Sequence, residues 1–123
     1  HQYPYYPGTG AAEETGVGNI FNAPLEAGDG GPEFRQALED YILPAVRLFK
    51  PNIVFISAGF DAHVLDPLAS LRLEEEDFEW ATAELKKVAQ EFACGRLVST
   101  LEGGYDLEAL SNSVQAHVSA LMT

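Results

Sequence analysis

The stretch NIVFISAGFDAHVLDPL, residues 52–68, decides the fold of this chain. Its first half is a nearly continuous apolar run with β-branched side chains, which is typical of a strand buried on both faces of a parallel sheet. Its second half turns abruptly polar and places Asp61, His63 and Asp66 within six residues. The stretch therefore predicts a core strand that delivers ligand-type side chains to one edge of a sheet.

Helix and strand patterns alternate around this central strand. Three helical patterns, with apolar residues at three- and four-residue steps, cover residues 34–49, 74–95 and 107–121. Short apolar runs at 19–25 and 96–101 predict a strand before and a strand after the central one. Pro44 lies inside the first helical pattern, where we expect it to kink or interrupt the helix. This alternation indicates an α/β fold with a parallel sheet and helices packed on its faces.

The loops after the last two predicted strands lie on the same edge of such a sheet, where ligands usually bind. The carboxylates and imidazole of the first loop suit zinc or another divalent ion. The same side chains could equally cap turns or face solvent, so their spacing leaves both interpretations open. In the second loop, LEGGYDL, two glycines allow a sharp turn that presents Tyr105 at the strand end. Its phenol could donate a hydrogen bond to a developing oxyanion or pack over the next helix.

Composition and charge narrow the classes of partner. The 123 residues are 46% hydrophobic and carry a net charge of −12, which disfavours binding to nucleic-acid phosphates and weakly favours cationic ligands. Solubility is an equally simple explanation of that charge. No apolar run is long enough to span a bilayer, and no secretory signal is visible. Cys94 is the single cysteine, which suits the cytoplasmic location that we expect.

Four segments carry a resemblance to a known family: HQYPYYPGTG, NAPL, SAGFDAHVLDPLASL and LEGGYDL. In this order and at these separations they resemble the C-terminal half of the histone deacetylase superfamily, closest to its bacterial deacetylase-like, acetoin-utilisation and acetylpolyamine amidohydrolase branch. The resemblance implies that residues 1–123 are an incomplete part of one arginase-like domain, with three α-β-α layers. It also implies a zinc-dependent amidohydrolase that converts N-acetyl amides of lysine or polyamines into an amine and acetate.

The resemblance also assigns roles to individual residues. Asp66 matches a zinc ligand of the family, and Tyr105 matches the tyrosine that stabilises the tetrahedral oxyanion. Gly104, directly before that tyrosine, belongs to the implied substrate-binding residues. Tyr6 and Leu73 match an aromatic and a hydrophobic wall of the acyl channel. Asp61 and His63 belong to the motif, but the resemblance gives neither of them a ligand role.

The chain departs from the family pattern in its histidines, which are only His1, His63 and His117. The family's Asp-x-His zinc ligands and its histidine pair have no counterpart here, because both lie upstream of the matched segments. Catalytic zinc sites usually have three protein ligands, so we expect this chain alone neither to hold zinc tightly nor to hydrolyse amides. His117 lies near an apolar helix face and is expected to have a packing role.

Two other functions remain open at this point. The first is a non-catalytic, truncated α/β module that self-associates through the exposed edge of its sheet. The second is a nucleotide-binding domain, which the sequence disfavours because EGGYD lacks the glycine spacing and the lysine of phosphate-binding loops.

Overall fold

The structure, a computed structural model, describes residues 1–123. Its secondary structure elements, in chain order, are α1 (Gly31–Ala37), a π-helical turn (Leu38–Ile42), α2 (Leu43–Phe49), β1 (Val54–Ala58), α3 (Glu75–Phe92), β2 (Leu97–Leu101) and α4 (Leu107–Met122). None of the helices is both long enough and apolar enough to cross a membrane.

The two strands form a parallel pair in which Val54 is opposite Leu97 and Ala58 is opposite Leu101. The connection between them contains α3, as a parallel crossover requires. The two strands end at the same edge, so the loops that follow them emerge side by side. The predicted α/β class with a parallel sheet is therefore confirmed.

The first predicted strand, residues 19–25, does not form. The segment has no strand of its own and contributes only an isolated bridge between Gln2 and Leu25. Pro24 has no N–H to donate to a ladder, and no neighbouring strand is available to pair with this segment. Of the three strands predicted to alternate with helices, only the second and the third therefore form.

Pro44 shapes the first helical region in the way its chemistry requires. Of the two predicted outcomes, a kink or an interruption, the helix shows an interruption. A π-helical turn, Leu38–Ile42, ends two residues before the proline, and the N–H of Leu43 donates to the carbonyl of Leu38, five residues earlier. A proline has no N–H and its ring collides with the carbonyl four residues before it, so the wider turn relieves that conflict.

The core consists of two clusters on one face of the sheet. The cluster at the far end from the loops joins Leu43 of α2 and Val88 and Ala89 of α3 to Val54 of β1. The cluster beneath the loops has six buried members: Leu25, Ala58, Phe60, Leu71, Leu73 and Phe78. It supports the loops from below.

The opposite face of the sheet is bare. Phe55 is 70% exposed, and its register partner Val98 is 47% exposed. Of the three layers that the resemblance implies, these residues form the sheet and the helices that cover one side of it.

Candidate functional site

The edge at which β1 and β2 end carries an open cavity of about 570 Å³. Its walls come from three segments that are distant in the sequence: Tyr5 and Tyr6 from the amino-terminal loop, Asp61 and Leu71 from the loop after β1, and Tyr105 from the loop after β2. The predicted site residues Tyr6 and Tyr105 therefore share one cavity, at the edge where an α/β sheet usually binds its ligand.

Asp66 ties the two strand-end loops together. Its side chain is buried, and its Oδ2 accepts a hydrogen bond of 2.8 Å from the backbone N–H of Tyr105. Its Oδ1 accepts a second bond of 2.9 Å from the N–H of Leu68, which closes a local turn. The two loops predicted to lie together therefore do so, and the contact between them is direct.

The position of Tyr105 depends on the two glycines before it. Gly104 has φ +136°, and a Cβ added there would lie 2.8 Å from Cδ1 of Leu110. Only glycine adopts this conformation at low cost. The carbonyl of Gly103 accepts from the N–H of Phe60 at 2.8 Å, which extends the contact between the two chains beyond the sheet. Gly104 therefore sets the turn and does not itself line the cavity.

Asp61 lines the cavity and also fits against the backbone of both loops. A Cβ added at Gly103 would lie 3.0 Å from its carboxyl carbon, and one added at Gly59 would lie 3.0 Å from its Oδ1. The two glycines make room for this carboxylate, which adds a negative charge to the cavity wall.

The aromatic wall is anchored to the loop that carries Asp66. The hydroxyl of Tyr5 donates to the carbonyl of Leu68 at 2.6 Å, and the side chain of Gln2 accepts from the N–H of Ser70 at 3.2 Å. Tyr6 itself is 93% exposed. Tyr5 was not among the predicted site residues, although it lies in the same tyrosine-rich segment as Tyr6 and also lines the cavity.

The structure places Leu73 differently from its predicted role as a channel wall. Its side chain is only 2% exposed, belongs to the core cluster beneath the loops and does not line the cavity with the tyrosines. Backbone pairing with His63 holds Leu73 under the loop. Leu68 and Leu71 are the leucines that line the cavity instead, and only the fold distinguishes them from Leu73.

His63 is buried beside the start of α3. Its Nδ1 accepts from the N–H of Leu65 at 3.1 Å, and its Nε2 faces Oε1 of Glu75 at 3.5 Å. The pKa of Glu75 is lowered, chiefly by a hydrogen bond from its own backbone N–H and further by His63, so this carboxylate is negative at neutral pH.

His117 is also buried, and it joins three elements. The Thr82 hydroxyl of α3 donates to the carbonyl of Phe78 at 2.6 Å, so it must accept its 2.7 Å bond from Nδ1–H of His117. Nε2 is then free to accept from the hydroxyl of Ser99 in β2 at 2.8 Å. Burial lowers the pKa of His117, which favours this neutral form. The arrangement agrees with the predicted packing role.

The residues present do not complete a zinc site by themselves. No three or more His, Cys, Asp or Glu side chains are grouped so that they could hold a metal ion. Asp66 is a suitable single ligand, because a carboxylate that accepts two hydrogen bonds still has lone pairs for a cation.

Comparisons with known proteins cover nearly the whole chain. The model of the histone deacetylase domain matches residues 1–121. Histone deacetylase 10, chloroplastic, of Oryza sativa subsp. japonica is 47% identical over 118 residues, covering 93% of this chain and 27% of that protein. Histone deacetylase 14, chloroplastic, of Arabidopsis thaliana is 43% identical over 126 residues, covering 99% of this chain and 30% of that protein.

A solved structure gives the same result for the fold. The crystal structure of the HDA15 HD domain superposes with a TM-score of 0.88 at 35% identity and covers 97% of this chain and 34% of that chain. The chain thus spans less than a third of the length of the two plant relatives. "Chloroplastic" describes those relatives, and the cytoplasmic location of this chain stays a prediction.

Proposed function

Since this chain belongs to the histone deacetylase family, we propose that it forms the part of a zinc-dependent deacetylase that carries one zinc ligand, Asp66, and the oxyanion donor, Tyr105. The complete domain hydrolyses N-acetyl amides to an amine and acetate. The observation that carries the proposal is the 2.8 Å hydrogen bond from the N–H of Tyr105 to Asp66, because it holds these two residues together at one sheet edge.

A zinc ion held by Asp66 and by ligands from outside this chain would supply Lewis-acid polarisation of the acetyl carbonyl and would lower the pKa of a bound water molecule. The residues of this chain contribute orientation and charge stabilisation. Two N–H donors fix the rotamer of Asp66, so its remaining lone pairs keep one direction. The Tyr105 side chain lines the cavity, where its hydroxyl donates a hydrogen bond to the substrate oxygen as negative charge develops on it.

The cavity suits an acetylated amine on a slender apolar arm. Tyr5 and Tyr6 supply aromatic surface, and Leu71 supplies aliphatic surface on the wall formed by the loop after β1. The carboxylate of Asp61 and the net charge of −12 favour a substrate that carries positive charge elsewhere, such as a lysine-rich peptide or a polyamine.

The test is acetate release by the full-length gene product that contains this chain. We expect the protein to deacetylate an acetyl-lysine peptide or an acetylpolyamine, to lose this activity with a strong chelator, and to regain it with added zinc. The same chelator saturated with zinc beforehand is the control and should not inhibit. We expect the isolated 123 residues to release no acetate. Activity that survives removal of all metal would contradict the proposal.

One observation favours a second candidate, a non-catalytic module that self-associates. None of the ten strand residues is charged, and Phe55 and Val98 are exposed on the bare face of the sheet. Such a surface is apolar enough to bind a second copy. A full-length protein that is inactive and free of metal, together with isolated residues 1–123 that sediment as a stable oligomer, would support this candidate over the deacetylase.

A further inference from the structure

The imidazole of His63 is placed where a simple packing role does not explain it. The ring is 3% exposed and stacks on Phe78, with 6.5 Å between the ring centroids and 13° between the planes. If His63 only filled space in the core, an apolar residue could take its place. Instead its Nδ1 accepts a hydrogen bond, and its Nε2 is buried without a hydrogen-bond partner, which calls for an explanation.

The hydrogen bond at Nδ1 fixes the position of the ring proton. A backbone N–H can only donate, so the Nδ1 that accepts from Leu65 is unprotonated. The neutral ring must then carry its proton on Nε2. That nitrogen faces the carboxylate of Glu75 at 3.5 Å, longer than an ordinary hydrogen bond but with the charge that favours an Nε2–H in this direction.

The backbone of His63 is fixed as firmly as its ring. Its carbonyl accepts from the N–H of Asp66 at 2.9 Å. On either side, the N–H of Val64 donates to the carbonyl of Leu73 at 2.9 Å, and the N–H of Leu73 donates to the carbonyl of Ala62 at 3.1 Å. The turn that ends at Asp66 is therefore held by hydrogen bonds to the His63 ring, to the His63 carbonyl, and between the residues on either side of His63 and Leu73.

We propose that His63 is a positioning residue for Asp66, which accepts the N–H of Leu65 at Nδ1 and directs an Nε2–H toward Glu75. The ring closes the turn at residues 63–66, so the Asp66 carboxylate meets the N–H groups of Leu68 and Tyr105 with a fixed geometry. This role of His63 in orienting the Asp66 carboxylate is additional to the roles proposed for Asp66 and Tyr105. Its consequence for zinc rests on the proposed function.

The first test needs neither metal nor substrate. Nitrogen-15 shifts of the full-length protein at neutral pH should show His63 as the Nε2–H tautomer. His117 is an internal reference, because its bonds to Thr82 and Ser99 require the Nδ1–H tautomer. A His63 with Nδ1–H, or with a freely exchanging proton, would overturn the proposal without bearing on the deacetylase function.

The second test separates the hydrogen bond from the packing of the ring. His63→Phe keeps an aromatic ring against Phe78 but cannot accept from Leu65, whereas His63→Asn retains an acceptor near the place of Nδ1. We expect hydrogen exchange at the Leu65 amide to become about tenfold faster in His63→Phe and to stay close to wild type in His63→Asn. Equal exchange in all three proteins would overturn the proposal.

The third test measures the effect on the site. In the full-length protein, His63→Phe should weaken zinc binding by about 10–100-fold in chelator competition, and His63→Asn should recover most of that loss. If exchange at Leu65 changes while zinc affinity does not, His63 is structural only and the positioning role fails. If the wild-type protein binds no zinc at all, the proposed function fails, and the tautomer and exchange results still decide whether His63 fixes the turn.

Discussion

At the scale of single residues, the site depends on backbone groups as much as on side chains. The carboxylate of Asp66 is oriented by two N–H donors, and Tyr105 reaches the cavity because Gly104 adopts a conformation that other residues avoid. The sequence motif specified both residues. It could not specify that the link between them runs through the Tyr105 N–H, because that contact depends on the register of two parallel strands.

The Tyr105 hydroxyl gives the prediction that belongs to this scale. Tyr105→Phe removes the proposed oxyanion donor but keeps the ring and the backbone N–H that binds Asp66. We expect kcat of the full-length protein for an acetyl-lysine peptide to fall about 10²–10³-fold, because the lost bond forms mainly in the transition state. Zinc content should not change.

The matched control is Tyr41→Phe, the same chemical change on an exposed side chain of the π-helical turn, away from the cavity. It should leave kcat unaltered. A Tyr105→Phe protein with wild-type turnover would remove the tyrosine from the reaction.

Leucine placement shows where residue-level prediction stops. Leu71 and Leu73 are two residues apart in one apolar segment, and the resemblance selected Leu73 as the wall. In the structure Leu73 pairs with His63 and is buried in the core, while Leu71 also reaches the cavity. Hydrophobicity alone gives the two leucines the same prediction, because the difference comes from a backbone bridge that forms only when the loop between β1 and α3 folds back on itself.

At the scale of elements, the spacing of apolar residues correctly predicted the helices and strands that pack against neighbouring elements of this chain. The helices and the two central strands follow the apolar patterns, and Pro44 marked the irregular turn in the first helical region. The strand predicted at residues 19–25 failed for a physical reason. A strand is stable only with a hydrogen-bonding partner, and a local pattern carries no information about whether one is present.

His117 couples three elements and gives a prediction about pH. The ring contacts the Thr82 and Ser99 hydroxyls and the ring of Phe60, all neutral groups. Because its folded pKa is below 6.5, the unfolded chain binds a proton more readily. The contribution of His117 to stability is therefore complete above pH 6.5 and is lost as the pH falls through the folded pKa.

Denaturation of the full-length protein at pH 7.5 and pH 5.5 would measure this contribution. His117→Gln should lower the free energy of unfolding by about 1–3 kcal/mol at pH 7.5, since the buried Thr82 hydroxyl and the half-buried Ser99 hydroxyl lose their imidazole partner. The variant should also lose part of the wild-type decrease in stability between the two pH values. An identical decrease in both proteins would show that His117 does not titrate in this way.

At the scale of the whole molecule, the chain has one covered and one bare sheet face, and one ligand of a proposed metal centre. The bare sheet face and the single ligand are both consistent with the length of the chain, which spans less than a third of the plant relatives it matches. From the histidines that the chain lacks, the sequence predicted an incomplete domain, and this stays a prediction. The bare face at Phe55 was not predicted, because its apolar run is typical of a strand covered on both sides.

The most direct measurement is the zinc content and zinc affinity of the full-length protein in which Asp66 is replaced by asparagine. Wild-type protein and the control Asp40→Asn, the same change at an exposed carboxylate, should each hold about one zinc per chain. Asp66→Asn should bind zinc at least about tenfold more weakly and lose acetate release with it. A folded Asp66→Asn protein with wild-type zinc affinity would contradict the account.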